Sequence, residues 1–241
     1  MAIYEYKYTV ELSDIGRSNK ITNKSVLKIL ENAGGRQSEK IGLGINQVEK
    51  TGLSWVLLAW KVKIIRRPIY NEELTIKTWA QNINKISTYR DYEICDEKGN
   101  LLIIASSKWI LINIYTGVIE KITDNIIKDY DPEDKHVFEN KNIDKLVEPK
   151  EYEKEVEYKV IKRDIDINNH VHNLYYLDFA YEALPEDVYR ADECNNIEVM
   201  YKKQIKLADE IVCLYAKEEN ENIVSIKSKD KKILHAIVKL Y

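Results

Sequence analysis

The chain has 241 residues, 44% of them hydrophobic, enough to bury one large core or two smaller ones. Its 37 basic and 40 acidic residues give a formal charge of -3, which excludes the strongly basic footprint of a nucleic-acid protein and leaves any acidic partner to a local basic patch. Three widely spaced cysteines, Cys95, Cys194 and Cys213, form neither a disulfide framework nor a thiolate zinc site and fit a reducing cytoplasm. The opening MAIYEYKYTVEL carries charges where a signal peptide needs an apolar core, and no apolar run approaches the ~20 residues of a membrane span, so an unexported protein is expected.

In chain order, the stretch ITNKSVLKILENAGGRQSEKIG predicts a helix: Val26, Leu27, Leu30 and Ala33 recur at helical spacing behind a Thr/Asn cap, and glycines follow. LSWVLLAWKVKII, ELTIKTWAQNI and STYRDYEICDEKGNLLIIASSKWILINI predict long strands rich in β-branched and aromatic residues, the last folded back at DEKGN. From Asp124 to Lys150 the chain is charged with little apolar periodicity and reads as a connector between units 1–123 and 151–241. Beyond it the order repeats: strand YEKEVEYKV, helix NLYYLDFAYEAL stopped by Pro185, then strands NIEVMYKKQI, EIVCLYAKEE, NIVSIKSKD and KILHAIVKLY.

The repetition holds residue by residue. Laying Ser13–Leu30 over Arg163–Ala180 pairs Asp14 with Asp164, Ile15 with Ile165, Asn19 with Asn169, Asn23 with Asn173 and Leu27 with Leu177. IRRPIYNEELTI lies over YKKQIKLADEIV with a one-residue adjustment, which sets Gln204 against Pro68 and makes Arg66-Arg67 and Lys202-Lys203 matching basic pairs. Two copies of one α+β unit follow, each a helix against an antiparallel sheet.

The copies differ where chemistry is concentrated. Asp166, Asn168 and His170 stand where the first copy has Gly16, Ser18 and Lys20. Asp and Asn favour turns and helix caps, so a purely structural role competes with a catalytic one. The first copy caps its helix without this set, with Asn19, Thr22 and Asn23, which favours a site in the second. His170 is the side chain naturally poised near neutrality and suits general acid–base work. Asn168 can present an amide to a carbonyl oxygen or a water, Asp166 can orient Asn168 or His170, and the helix start favours developing negative charge. His170-Val171-His172 is not read as a metal pair, because His136 and His235 are scattered, and His172 is read as a neighbour. Trp55, Trp60, Trp79 and Trp109 read most simply as core.

The stretches DIDINNHVHNLYYLDF and MYKKQIKLADEI, with WVLLAWKVKIIRRPIYNEELTIKTW and YRDYEICDEKGNLLIIASSKWILIN, resemble the acyl-acyl carrier protein thioesterases of plants and bacteria. The resemblance covers most of the chain and is weak only across the connector. It implies an α+β double hotdog fold, two tandem units each wrapping a sheet around a long helix, with the acyl pocket largely in the first. It implies hydrolysis of an acyl-carrier-protein thioester to free fatty acid without a cofactor, the phosphopantetheine-linked carrier as partner, and Asp166, Asn168 and His170 as catalytic residues. The plant transit peptide is not seen, so the chain is more similar to a bacterial member. Plant relatives usually read Glu-Cys where this chain has Gln204-Ile205, so Gln204 is left to position water and Ile205 cannot be a nucleophile. Arg66, Arg67, Lys202 and Lys203 are candidates for docking the acidic carrier, against a solvated strand face. A double hotdog already pairs two units internally, so both a monomer and a homodimer are compatible with the reading. The fold also leaves open an acyl-CoA thioesterase, a hotdog hydratase, or a non-catalytic acyl-binding module.

Overall fold

A computed structural model describes residues 2–81, 84–191 and 194–241. Asn82 and Ile83, at the end of the expected strand ELTIKTWAQNI, lie outside the described residues. The chain divides into two compact units, Met1–Ile143 and Asp144–Tyr241.

Unit 1 opens with strand β1 (Tyr4–Thr9) and helix α1 (Asn23–Lys40). A short helix α2 (Val48–Thr51) leads into β2 (Leu53–Ile64), β3 (Glu73–Ala80), β4 (Ser87–Asp96), β5 (Leu101–Asn113) and β6 (Ile119–Glu120). The strands form an antiparallel sheet in the order β1-β3-β4-β5-β2, with β6 beside β5. The expected cap is present: Thr22 Oγ1 accepts the Ser25 N–H at 3.1 Å. So is the β4–β5 hairpin, where the Asp96 carboxylate accepts the N–H groups of Lys98 and Asn100 at 2.9 and 2.8 Å and Gly99 takes φ +82°. One face of α1 buries Val26, Leu27, Ile29, Leu30 and Ala33, each of the larger ones contributing about 1.5–3 kcal/mol. Gly34 lets α1 approach the sheet, since a Cβ there would come within 3.2 Å of Arg90 Cδ and Tyr92 Oη. Trp60 and Trp79 are fully buried, as expected of core, whereas Trp55 and Trp109 are only half-buried.

The stretch read as a connector has structure at its start. Helix α3 (Asp124–Tyr130), capped by Thr123, buries Ile126 and Tyr130 with Ile122, Ala80 and Leu111. Its apolar positions 122, 126 and 130 are at helical spacing, but the run is one turn too short to stand out against the charges around it. Beyond it the chain stays on the sheet of unit 1: Glu133 N–H donates to Ala80 O, Trp79 Nε1 to Lys135 O, and Val137 N–H to the Asp91 carboxylate, all at 2.9–3.0 Å.

Unit 2 repeats the order with β7 (Lys154–Lys159), α4 (Tyr175–Ala183), α5 (Glu186–Ala191), β8 (Asn196–Tyr201), β9 (Glu210–Glu218), β10 (Glu221–Ser228) and β11 (Leu234–Leu240). Its antiparallel sheet runs β8-β11-β10-β9-β7. The second helix stops before Pro185, as expected. Pro185 disfavours helical geometry in the residue before it, and Leu184 is accordingly extended at φ -61°, ψ 147°.

In both units a buried aspartate builds the turn that feeds the helix. In unit 1, Asp14 accepts hydrogen bonds from Tyr8 Oη at 2.5 Å, the Glu11 N–H at 3.0 Å, and Lys28 Nζ. Burial pushes its carboxyl pKa up, but these donors outweigh that and hold it below the ordinary value of 3.8. A lowered folded-state pKa stabilises the fold above the unfolded-state value and loses that contribution as pH falls through the folded one. Asp14→Ala should therefore destabilise the fold by about 3 kcal/mol near neutral pH, by orphaning three donors. The gap in Tm to the unsubstituted chain should narrow on acidification below 3.8. Thermal melts followed by circular dichroism across pH test this, and a gap independent of pH would contradict it.

Candidate active site

The entrance to α4 is built on Asp164, which is 1% exposed. Its Oδ2 accepts from Tyr158 Oη and the Ile161 N–H, both at 2.9 Å, and its carbonyl oxygen accepts the His172 N–H at 2.9 Å. Between these anchors the chain makes a closed loop: the Asp166 N–H donates to His170 O at 2.8 Å and the Asn169 N–H to Asp166 O at 3.1 Å. Asn169 adopts φ +59°, a left-handed conformation that Asn tolerates better than most residues. Unit 1 draws the same loop: Thr22 N–H to Asp14 O at 3.0 Å, Gly16 N–H to Lys20 O at 2.9 Å, Asn19 N–H to Gly16 O at 3.1 Å, and Asn19 at φ +56°.

On this shared backbone the side chains of unit 2 do different work. The Asp166 Oδ1 accepts the N–H of Asn168 at 2.8 Å and that of His170 at 3.3 Å, while Oδ2 takes Asn168 Nδ2 at 3.4 Å. The carboxylate thus orients Asn168 through its amide and His170 through its backbone, not through the imidazole ring. Gly16 has no side chain with which to do this. Asn168 is exposed and His170 half-buried, and His170 Nδ1 is buried without a donor or acceptor from the protein. His172 occupies the place of the Thr22 cap, and its Nδ1 accepts the Leu174 N–H at 3.3 Å, a structural role.

The loop is paired to the segment after β8. His170 bridges Lys206, and the Val171 N–H donates to Ile205 O at 2.9 Å. In unit 1 Lys20 bridges Ile69 and the Ile21 N–H donates to Pro68 O at 2.9 Å. The backbone therefore matches Ile205 with Pro68 and Gln204 with Arg67, which corrects the expected Gln204–Pro68 match by one residue. The side chains misled because Arg66-Arg67 and Lys202-Lys203 look alike, whereas the pairing sets Lys203 against Arg66. Gln204 is exposed on the segment that carries the His170 loop.

The four basic docking candidates separate. Arg67 is 8% exposed and donates to Ile21 O at 3.0 Å, so it is a structural cation and not a docking residue. Arg66 is engaged with Glu72 and Asp96. Lys202 and Lys203 are exposed beside the His170 loop. Cys213 is buried, and burial pushes its thiol up to about 12, which leaves it protonated at neutral pH and unsuited to be a nucleophile. Tyr176 lies in the first turn of α4 and is buried, its ring edge-on to Tyr201 at 5.2 Å between centroids.

Comparison with known proteins gives the architecture and the lineage. A family model described as the acyl-ACP thioesterase N-terminal domain matches residues 1–130, and one described as the C-terminal domain matches 147–237. An oleoyl-acyl carrier protein thioesterase of Coriandrum sativum is 26% identical over 93% of this chain and 65% of its own length. A second such enzyme, of Arabidopsis thaliana, is 25% identical over 92% and 65%. The chain thus spans just under two thirds of these chloroplastic relatives. An acyl-ACP thioesterase structure from Bacteroides thetaiotaomicron superposes with a TM-score of 0.87 at 22% identity, covering 99% of this chain and 96% of that one. A 12:0-ACP thioesterase from Umbellularia californica gives 0.85 at 16%, with the same coverage. The two units are tandem hotdogs, and the chain belongs to the acyl-ACP thioesterase family.

Proposed function

We propose that this chain hydrolyses the thioester of an acyl chain on acyl carrier protein and releases free fatty acid in fatty acid biosynthesis, with His170 taking a proton from the attacking water. The observation that carries the reading is the pair of matching entrance loops, of which only the second bears a carboxylate, an amide and an imidazole. The names of the relatives support the substrate class.

In the proposed reaction a water oxygen attacks the thioester carbonyl carbon while His170 accepts the water proton. The oxyanion that forms is stabilised by an amide N–H of Asn168, which Asp166 holds in place, and by the positive end of the α4 dipole. The carbon–sulfur bond then breaks, and the His170 proton passes to the departing thiolate. Gln204 can orient the water but cannot take its proton. Lys202 and Lys203, exposed and without the carboxylate partners that engage Arg66, are the cations assigned to meet an acidic carrier. The buried thiols of Cys95 and Cys213 agree with a reducing, cytoplasmic setting.

The purified chain given matched acyl-carrier and acyl-CoA thioesters, with free thiol and free acid quantified, should turn over the carrier substrates faster. His170→Ala should lower kcat by about 10²-fold or more with KM nearly unchanged, and near-normal turnover would sink the assignment. Gln204→Ala should cost on the order of tenfold, a positioning loss, and Gln204→Glu should be tolerated. Lys202→Glu with Lys203→Glu should weaken kcat/KM for the carrier substrate at low salt, with the difference fading as salt is raised. Equal kcat/KM at low salt would remove these lysines from docking.

A further inference from the structure

On the surface beside the His170 loop, unit 2 differs from unit 1 in a second way. Two turns stand next to each other there. The first runs from Asp166 to Asn169 and is closed by the bond from the Asn169 N–H to Asp166 O. The second runs from Lys206 to Asp209, where the Asp209 N–H donates to Lys206 O at 3.2 Å and the Asp209 carboxylate accepts the Lys206 N–H at 2.9 Å. The His170–Lys206 bridge joins the two. On its other side the second turn is tied to the end of β7, with the Ala208 N–H donating to Val160 O at 3.2 Å and the Val160 N–H to Asp209 O at 3.0 Å. This frame holds three aliphatic side chains out in solvent: Ile167 is 75% exposed, Leu207 48%, and Ile161, next to Val160, 44%.

A single exposed aliphatic needs no explanation, but a group on joined turns does. The turns themselves do not ask for it. Unit 1 draws the same second turn, with the Glu72 N–H donating to Ile69 O at 3.2 Å, the Asn71 N–H to Val10 O at 2.9 Å and the Val10 N–H to Glu72 O at 3.0 Å. The places of Ile161, Ile167 and Leu207 are held there by Glu11, Arg17 and Tyr70. The aliphatic triplet therefore belongs to the unit that carries the imidazole. Around it the exposed charge left uncommitted is positive. The Asp166 carboxylate holds the N–H groups of Asn168 and His170, that of Asp209 holds the Lys206 N–H, and Glu210 meets Lys229 Nζ at 3.4 Å. Lys162, Lys202, Lys203 and Lys206 are exposed and make no ion pair among the described residues.

We propose that Ile161, Ile167 and Leu207 are the apolar centre of the face on which the acyl carrier protein seats, with the surrounding lysines as its rim. The partner this face fits is acidic and carries an apolar patch of its own. Rim lysines raise the encounter rate and set orientation, while the contact that holds the complex comes from a desolvated apolar centre. Ile167 stands between Asp166 and Asn168 in sequence, so a carrier seated here delivers its thioester directly to the His170 loop. The inference rests on the reading of a carrier-protein thioester as the substrate.

The test compares the parent chain with the double variant Ile161→Ser, Leu207→Ser, which leaves residues 166–170 untouched, using an acyl-carrier-protein thioester and detection of the freed thiol at low and high salt. We expect KM to rise about tenfold with kcat unchanged, and by a similar factor at both salt concentrations, because lost apolar contact is not a screened interaction. Turnover of an acyl-CoA thioester, which brings no protein surface, should stay within about twofold of the parent. An unchanged KM for the carrier substrate in a variant that circular dichroism shows folded would overturn the inference. An equal loss on acyl-CoA would also overturn it, as damage to the site itself. A concentration-dependent dimer of the parent, seen by size exclusion and absent in the variant, would assign the face to a second copy of the chain and overturn it as well. Failure of the parent chain to release thiol from any carrier substrate would instead overturn the reading on which the inference rests.

Discussion

A buried carboxylate that must satisfy its oxygens inside the protein fixes everything downstream of it. Leaving such a group without donors costs several kcal/mol, so the chain brings donors to it, and in doing so it shapes a turn. Asp164 collects a tyrosine hydroxyl and a backbone N–H with its side chain while its carbonyl collects His172. The five residues 166–170 are thereby held between two fixed points, with Asn169 turned left-handed to close the loop. Asp14 sets the same frame in unit 1. Because buried aspartates and backbone bonds set the frame, the side chains of Asn168 and His170 can be chosen for chemistry, while the Asp166 carboxylate holds the N–H groups of both.

That freedom has been used in one unit and not in the other. In unit 1 the place of Gln204 is taken by Arg67, whose guanidinium is buried against Ile21 O, and the N–H of Ile205 is replaced by a proline nitrogen. Unit 2 substitutes the exposed amide of Gln204 for the buried cation, beside the loop that carries His170. Duplication supplies the stability of a repeated fold and lets one copy carry polar groups that a core would not accept.

Much of this was legible in the sequence because it depends on local chemistry. The Thr22 cap, the hairpin at Asp96–Asn100 and the alternation of the strands are short-range signals with one reading each. The repeat itself was visible in Asp14 and Asp164, although their importance lies in burial, which spacing does not reveal. What was missed depends on long-range pairing. The offset between Arg67 and Gln204 is set by which carbonyl the loop chooses, Pro68 O or Ile205 O, and two like-charged pairs invited the wrong register. Arg67 reads as surface by type and is buried by its partner. Helix α3 was hidden by the charges around it.

The central claim is that one backbone frame carries two different entrances and that chemistry resides in the side chains of the second alone. Its most direct test is a loop exchange: residues 166–170 replaced by those of 16–20, measured for thermal unfolding and for thiol release from an acyl-carrier-protein thioester. Since the two loops share their backbone hydrogen bonds, the account predicts a chimera that melts cooperatively within a few degrees of the parent and has lost turnover by about 10³-fold or more. A folded chimera that still releases thiol at the parental rate would contradict it.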